Sequence, residues 1–593
     1  MRLAAALLVL GVIVSVTVVP GVFIVDDNNY LINVLALRHG RFTVANTEGL
    51  SPSRELLFFD PGAWTRAVDS TPVASTAPPL YAPFALPFLW LRWRGLVALN
   101  TLAYLATIAM VFVYARRYAT EASTPWMAAA AFALGGFVIE YAQGVWPHTL
   151  SIALCTAGIF AAGSVIDGRP SMTAAAGLLL GLATGIRYQN AVILAVVGGA
   201  IALWSGRAKA ITVYALAAAV PLSASAIINH IRLGSWNPIS KGGDNYLRVP
   251  VLEGSASSFL DPLVMFWARV VDFSVRPPML GYPWVRYDPV TGGHLMIGST
   301  LQKSLLQSAP WAILALIMFT LAWAPRSRIP EARLRQARLL SLVTLAVFAV
   351  FAFAGVSRIE GLSFNQRYLL ELLPLMAVGF AWALDALNLR FQTMFIGALG
   401  GVLLVLLILA GTPMFGGPQD FLWLVRIRAL LKLPLVFSVA LAVLWFVARS
   451  RRNVRPLLAA AAGLCLGWGL ALHVGDDVAT SHRLRAYSLK QTEALGRVLT
   501  DGSSLVAYWG NKDAAVPLLF DRDIVILDVH GDDGKDAPIL IQELLRRGRR
   551  VFLLEDGFPG QILSAVRAGW QVVPIANPGT EFVELRAPSS SSP

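Results

Sequence analysis

Long apolar stretches recur along most of this chain, and they constrain its fold more than any other feature. Of the 593 residues, 56% are hydrophobic and only 14% are charged, with a mean hydropathy of +0.63. Soluble domains carry about a quarter charged residues, so a soluble chain of this length would have too few charges to cover its surface. These figures also exclude disordered, collagen-like, coiled-coil and disulfide-stapled proteins. A polytopic membrane protein remains.

The apolar stretches are long enough to predict about 13 membrane spans, since a helix needs about 20 apolar residues to cross a bilayer. The first stretch is expected to be retained, because no A-x-A cleavage site follows it. The expected spans are 3–25, 95–115, 124–142, 148–166, 172–186, 189–204, 210–231, 309–324, 338–356, 368–388, 393–411, 430–448 and 455–473.

Basic residues predict the orientation of these spans. Their clusters fall on alternate connections, which face the cytoplasm if the N-terminus is inside. The net charge of +13 is therefore attributed to topology, and no nucleic-acid partner is expected. We expect a multi-pass protein of the cell membrane with a cytoplasmic N-terminus. The clusters lie at 116–117, 207–209, 326–338 and 449–455.

Two domains are expected: a transmembrane domain at 1–473, with large outer loops at 26–94 and 232–308, and an extracytoplasmic domain at 474–593. In the second, apolar runs typical of buried strands alternate with helical stretches. The predicted fold class is mostly α, a helical bundle with a small C-terminal α/β domain, a mostly parallel sheet and a disordered tail. The runs are 504–509, 523–528, 550–556 and 571–576.

Familiar catalytic motifs are missing from the sequence. It has no P-loop, no dinucleotide-binding glycine motif after a strand, no H-E-x-x-H and no G-x-S-x-G. Charged groups at membrane depth are costly and usually functional. We therefore expect the chemistry at ionisable residues near the outer ends of the spans.

Acidic residues and a histidine on the outer side are the first candidates. Asp26 and Asp27 follow the first span, and because adjacent carboxylates point in different directions, one is expected to act as a general base. Glu140 and His148 lie between spans three and four. With Asp26 or Asp27, they are candidates for an oxygen and nitrogen site that binds a divalent cation such as Mg²⁺ or Mn²⁺. An ordinary interfacial role is the alternative for each residue.

Arginines on the outer side are not explained by topology. Arg358 and Arg367, with Tyr368 beside it, flank spans nine and ten, and Arg187 lies between two short spans. The guanidinium fork matches phosphate oxygens, which favours a phosphate site. The alternative is an arginine–glutamate pair, with a residue such as Glu371, that braces two helices.

The first outer loop combines acidic, aromatic and proline residues. Asp60, Trp64 and Tyr81 are candidates for a sugar subsite, although aromatic residues also collect at any membrane interface. The prolines of 75–88 exclude a regular span there and favour turns or short interfacial helices.

Three segments together resemble the GT-C superfamily of membrane glycosyltransferases, in the branch of protein mannosyltransferases and the aminoarabinose transferase of lipid A. They are the acidic pair Asp26-Asp27 after the first span, the proline-rich STAPPLYAPFALPF at 75–88 and NQRYLLELLP at 365–374. The C-terminal domain is also similar to the appendage of many bacterial members.

The resemblance implies that a sugar moves from a polyprenyl-phosphate donor to an acceptor hydroxyl at the outer face, usually with inversion. Asp27 or Asp26 would deprotonate the acceptor, which is a lipid, a glycan or a protein. Arg367, with Arg187 or Arg358, would stabilise the leaving phosphate. Glu140 and His148 would position the acceptor or bind a divalent metal. The implied partners are the lipid-linked sugar, the acceptor and membrane lipids.

Two other functions stay open at this point. A transporter or flippase for lipid-linked saccharides would place charges near the bilayer midplane and needs no large outer domain. A polymerase or ligase for such saccharides usually has one dominant outer loop late in the chain. The outer position of the polar clusters favours a glycosyltransferase over both.

Overall fold

The computed structural model describes most of the chain, with gaps mainly in the outer loops. The described residues are 1–22, 25–42, 58–59, 64–66, 73–75, 77–239, 266–267, 270–271, 284–288, 293–298, 303–325, 329–354, 366–389, 391–410, 421–508, 514–529, 537–555, 558–575 and 582–588.

Nine helices within this described part are long and apolar enough to cross a membrane. They are Arg94–Arg117, His148–Ile166, Tyr188–Ser205, Ala208–Leu233, Glu331–Ala352, Arg367–Asp385, Phe391–Leu409, Arg428–Ser450 and Arg452–Val498. The other four predicted spans correspond to shorter apolar helices, at Arg2–Val16, Thr124–Leu134, Pro170–Ile186 and Ala312–Leu321. The multi-pass helical class is thus confirmed, and the count of about 13 crossings stays a prediction.

The first predicted span, 3–25, is wrong at its C-terminal end. The helix stops at Val16, and a second helix, Val25–Arg38, carries Asp27. Between them Gly21 adopts a φ of +135°, which other residues rarely adopt. A Cβ atom on Gly21 would lie 2.1 Å from the carbonyl oxygen of Arg485, so this turn lies tightly against a late helix.

The span predicted at 124–142 is also interrupted. Its helix ends at Leu134, and one separate turn follows at Ile139–Ala142. The indole nitrogen of Trp311 donates to the carbonyl oxygen of Gly135 at 2.7 Å, so a tertiary contact takes an acceptor at the helix end. The break frees residues 135–148 to form an irregular segment inside the bundle.

Several short elements complete the helical part. The proline-rich segment forms two short helices, Tyr81–Ala85 and Leu86–Leu91, as its prolines predict. The last helical segment runs from Arg455–Leu472 through a π-helical turn at His473–Val478 into Ala479–Val498. Further helices are Leu305–Ser308, Val516–Phe520, Ala537–Arg546 and Gly560–Arg567.

A six-stranded sheet lies at the C-terminal end, with strand order β1-β7-β6-β8-β10-β9. The first three pairs in this order are parallel and the last two antiparallel. The four predicted strands are present as β6 to β9, and β10 was missed because its alternating sequence is short. The strands are β1 (Phe58–Phe59), β6 (Ser503–Tyr508), β7 (Val525–Val529), β8 (Arg550–Leu554), β9 (Gln571–Pro574) and β10 (Phe582–Arg586).

Two small hairpins lie within the two segments expected to be outer loops, 26–94 and 232–308. The first pairs β2 (Trp64–Arg66) with β3 (Val73–Ser75), and the second pairs β4 (Trp284–Asp288) with β5 (Gly293–Gly298). The first outer loop also supplies β1, whose Phe58 and Phe59 pair with Ile526 and Leu527 of β7. A loop of the membrane part therefore forms one edge of the C-terminal sheet.

The α/β part packs directly on the helix that carries Asp27. Leu31 and Leu35 of that helix share one buried apolar cluster with Leu505 of β6 and Ile526 of β7. The expected boundary between residues 473 and 474 falls inside a continuous helical segment, Arg452–Val498. The division into two domains stays a prediction.

Candidate functional site

The irregular segment at 139–148, called the 139–148 segment below, is held in place by buried hydrogen bonds. Asn100 donates from Nδ2 to the carbonyl oxygens of Gly144 at 2.8 Å and Trp146 at 2.6 Å. Tyr81 donates to the carbonyl oxygen of Val145 at 3.0 Å. Backbone groups that lack helical partners are satisfied by side chains, which fixes the path of this segment.

Two predicted carboxylates share one buried arginine near the start of this segment. Asp27 is 1% exposed and Glu140 is fully buried, and the negative charges of both act on Arg485. Arg485 is itself 1% exposed and donates from Nη1 to the carbonyl oxygen of Gln143 at 2.8 Å. Buried charges need such partners, because desolvation of an ion is costly.

The other end of the 139–148 segment carries an aromatic stack. The His148 ring lies 4.8 Å from the Tyr141 ring and 4.7 Å from the Trp146 ring, measured between centroids. His148 is 4% exposed, and both of its ring nitrogens are without a hydrogen-bond partner among the described residues. A buried polar ring of this kind is available to a ligand that enters the site.

A predicted arginine lies against this stack. The Cζ atom of Arg367 lies 5.1 Å from the ring centroid of Trp146 and 5.1 Å from that of Tyr368. Arg367 also donates to the Tyr368 hydroxyl at 3.2 Å, and the side chain is half-buried. Cation–π contacts orient a guanidinium while leaving its edge available for hydrogen bonds.

Arg187 makes the helix-bracing contact that was the alternative to a phosphate site. It forms a buried ion pair with Glu371 at 2.7 Å, and Ser151 donates to the same carboxylate oxygen at 2.9 Å. Arg187 also donates to the carbonyl oxygen of Arg367 at 3.4 Å. Its positive charge, like that of Arg367, acts on His148. Arg187 therefore supports the backbone that carries Arg367.

The remaining predicted residues divide into described and undescribed ones. The hydroxyl of Tyr81 is engaged by Val145, and its ring packs edge-on against Tyr30 at 5.4 Å. The backbones of Asp26 and Trp64 lie in the helix Val25–Arg38 and in β2. The side chains of these two residues, and all of Asp60 and Arg358, lie outside the described residues.

The cation site on Asp27, Glu140 and His148, which was the alternative to an acceptor contact, stays a prediction. No group of three or more histidine, cysteine, aspartate or glutamate side chains within the described ranges is placed to hold a metal ion. The negative charges of the two carboxylates act on Arg485, whereas His148 stacks against the rings of Tyr141 and Trp146, whose centroids are 6.0 Å apart. Sequence spacing could not reveal these neighbours.

Two charged groups were missed by the sequence reasoning. Arg485, in HRLRAY, lies on the side expected to be outer, so the criterion applied to the other arginines there would have found it. Lys303 lies between Asp476 and Asp477 of the π-helical turn, and its ammonium group is 2.6 Å from Asp477. Burial lowers the pKa of Lys303, but the two carboxylates outweigh it and hold this pKa above the usual value.

The buried ion cluster also fixes the π-helical turn. His473 contacts Asp477 through Nδ1 at 2.6 Å and the carbonyl oxygen of Ser308 through Nε2 at 2.8 Å. Single π-helical turns often occur at functional sites. Here the turn precedes the helix that delivers Arg485 to the two carboxylates.

Comparisons with known proteins show the fold. No family model and no curated protein sequence matches the chain. The crystal structure of ArnT from Cupriavidus metallidurans in the apo state is 14% identical, with 98% of this chain and 97% of that chain covered and a TM-score of 0.51. The structure of ArnT bound to undecaprenyl phosphate is 16% identical, with coverage of 100% and 98% and a TM-score of 0.53.

A third match is more distant. The archaeal oligosaccharyltransferase AglB from Archaeoglobus fulgidus is 10% identical to this chain, and the match covers 100% of this chain and 75% of the AglB chain. Its TM-score of 0.44 is too low to bear on the fold. The two ArnT structures match over nearly the full length. The expected fold class, a membrane helix bundle followed by an α/β part, is thus confirmed and is similar to the fold of ArnT.

Proposed function

We propose that this protein is an integral membrane glycosyltransferase that moves a sugar from a polyprenyl-phosphate donor to an acceptor hydroxyl at the outer face of the membrane. One observation carries the proposal. The 139–148 segment has carboxylates and their arginine at one end, and an aromatic stack with Arg367 at the other. A base and a phosphate-binding cation are the two groups that this reaction needs. The fold shared with ArnT, whose structure holds undecaprenyl phosphate, supports the donor class.

Asp27 is the proposed base. The acceptor oxygen attacks the anomeric carbon and forms the new glycosidic bond, and Asp27 takes the proton that this oxygen loses. Asp26 is the neighbouring alternative from the sequence. The carbon–oxygen bond to the lipid phosphate breaks, and its electron pair stays on the phosphate oxygen. The products are the glycosylated acceptor and the free polyprenyl phosphate, with inversion at the anomeric carbon.

Arg367 is the proposed contact for the leaving phosphate. Charge develops on the phosphate as the bond breaks, and a preorganised guanidinium stabilises that charge more in the transition state than in the ground state. The stack under Arg367 and the pair Arg187–Glu371 behind it fix its position. Tyr368 accepts a hydrogen bond from it and orients its edge.

The stack itself is the proposed sugar-binding surface. His148 has two buried ring nitrogens that can hydrogen-bond to sugar hydroxyls, and Trp146 presents an aromatic face beside them. Glu140, held near Asp27 by their shared arginine, is the proposed acceptor contact. Asp60 and Trp64 remain candidates from the sequence, as does Arg358. The acceptor class, whether lipid, glycan or protein, is left open by these contacts.

The experiment is transfer from a defined donor. Membranes that contain the protein are incubated with undecaprenyl phosphate carrying radiolabelled mannose or 4-amino-arabinose, and label is followed in lipid, glycan and protein fractions. The proposal expects label to leave the donor and to become covalently attached to one fraction. A flippase would move the donor across vesicles with the label still on its lipid. That result, or unchanged donor on both sides, would overturn the proposal.

A further inference from the structure

We infer that Arg485 is a positioning residue, the shared counter-charge that holds Asp27 and Glu140 as a pair of buried carboxylates. The inference deepens the proposed function, and it rests on it for the role of Asp27. Arg485 lies in the helix Ala479–Val498, which leads from the bundle into the α/β part. The C-terminal part would thus contribute directly to the chemistry.

Contacts at both ends of the residue place Arg485 beside the two segments that carry the carboxylates. On one side, a Cβ atom on Gly144 would lie 2.8 Å from Nη2 of Arg485, so the guanidinium packs directly against the backbone of the 139–148 segment. On the other side, the carbonyl of Arg485 contacts Gly21, in the turn that leads to Asp27. Nη2 of Arg485 has no hydrogen-bond partner among the described residues, although it is buried.

Electrostatics explains why one cation is needed here. Two carboxylates in a buried place repel each other, and without a cation one of them takes up a proton. A protonated Asp27 cannot accept a proton from the acceptor hydroxyl. A guanidinium stays charged in proteins and therefore keeps both acids ionised while fixing their separation.

The titratable groups near Asp27 in the described part of the chain can be named, which makes a titration interpretable. The helix Val25–Arg38 packs on Tyr81–Ala85, which carries Tyr81, and on three further segments. These three carry no titratable side chain: Leu86–Leu91, Val73–Ser75 and Val516–Phe520. Among the described titratable groups, Tyr81 and Arg485 interact electrostatically with Asp27, Glu140 and His482 interact with Arg485, and Tyr30 interacts with Tyr81.

The test is an infrared pH titration of the purified full-length protein. The absorbance of a protonated carboxyl group is assigned to Asp27 by its loss in Asp27→Asn. In Arg485→Met we expect this signal at a pH at least about one unit higher than in the wild type, because the opposite charge is gone. Arg485→Lys keeps a positive charge, so its signal should lie close to the pH found for the wild type.

A matched control lies on the same helix. Arg483 is exposed, and Arg483→Met should titrate like the wild type. If Asp27 titrates at the same pH in the wild type and in Arg485→Met, the inference is wrong. An equal shift in Arg483→Met would also overturn it, since it would show a general effect of lost positive charge.

A second measurement covers the case in which Arg485→Met unfolds. The substitution Arg485→Met is introduced into the wild type and into Asp27→Asn. The fall in melting temperature that it causes is then compared between the two backgrounds. If the arginine balances Asp27, the loss is smaller in the Asp27→Asn background, since one uncompensated carboxylate is already removed. Equal losses in both backgrounds would overturn the inference.

Neither readout requires sugar transfer. A chain that shows the titration shift and the coupled melting temperatures but no transfer contradicts the proposed function alone. A chain that transfers sugar while Arg485→Met titrates as the wild type contradicts only the assignment of Arg485.

Discussion

The guanidinium of Arg367 lies over the indole ring of Trp146, with 5.1 Å between Cζ and the ring centroid. The two residues are distant in sequence, and the contact joins the start of a late membrane span to the irregular 139–148 segment. Because Trp146 in turn stacks on His148, a half-buried cation lies at the edge of a buried polar aromatic surface. This arrangement suits a ligand with a phosphate next to a sugar ring.

Arg367 should determine the affinity for the lipid phosphate. Arg367→Lys keeps the charge but loses the planar fork and the stacking on Trp146. We expect undecaprenyl phosphate to bind about tenfold more weakly, as a lost charge-assisted hydrogen bond of about 1.5 kcal/mol implies. The measurement is a binding titration in detergent micelles. Arg452→Lys, at an exposed position, is the control, and equal affinities for wild type and Arg367→Lys would refute the assignment.

The pair Arg187–Glu371 should contribute to stability more than an exposed ion pair does. Arg187→Met leaves the Glu371 carboxylate buried without its partner, which costs about 3–5 kcal/mol. The variant Arg187→Met/Glu371→Leu removes both charges and should recover most of that loss. Unfolding in denaturant measures both variants. A double variant no more stable than Arg187→Met would show that the two side chains do not stabilise each other.

The path of the 139–148 segment should depend on Asn100. Asn100→Leu removes the donor for two backbone carbonyls, and the buried acceptors left behind cost about 1–3 kcal/mol. We expect a lower melting temperature and reduced sugar transfer together. Thr107→Val is the control on the same helix, because Thr107 bonds only within its own helix. Comparable losses in both variants would argue against a special role for Asn100.

The C-terminal sheet should lose stability in acid through Glu584 of β10. Burial raises the pKa of Glu584, but hydrogen bonds from Arg586 and Arg550 outweigh this and hold the pKa below the usual 4.5. With the folded pKa below the unfolded one, the stabilisation is present at neutral pH and is lost as the pH falls through the folded pKa.

Glu584→Gln removes this acid-sensitive contribution. The arginines are more than half exposed, so we expect the variant to be destabilised by less than about 1 kcal/mol at pH 7. Thermal unfolding is measured at neutral and at acidic pH. The melting temperature should fall less on acidification in Glu584→Gln than in the wild type. An identical pH dependence in both proteins would show that Glu584 titrates normally in the folded state.

Hydrophobic patterning was enough to predict the class of fold, because the spacing of apolar residues reports on single helices and strands. It failed where tertiary contacts shape the chain between helices, at Gly21 against Arg485 and at Gly135 against Trp311. The strand β10 and the edge strand β1 were missed because short strands depend on their partners for stability.

The candidate site was predictable only in part for the same reason. Glu140, His148 and Arg367 were singled out because ionisable residues are rare at span ends, and the structure places all three on or against the 139–148 segment. The partners of these residues were not predictable. The pairing of Arg187 with Glu371, and of Asp27 with Arg485, depends on how distant helices pack. Nor could the sequence show that the negative charges of Asp27 and Glu140 act on the same arginine, Arg485.

Sugar transfer by Asp27→Asn tests the proposed function most directly. The substitution keeps the size of the side chain and removes the base, and removal of a general base typically costs about 10²- to 10⁴-fold in rate. Asp521→Asn, which breaks an exposed pair with Arg92, is the control and should transfer sugar like the wild type. We predict that Asp27→Asn still binds undecaprenyl phosphate but loses at least about a hundredfold in transfer rate. Transfer at the wild-type rate by Asp27→Asn would contradict the account.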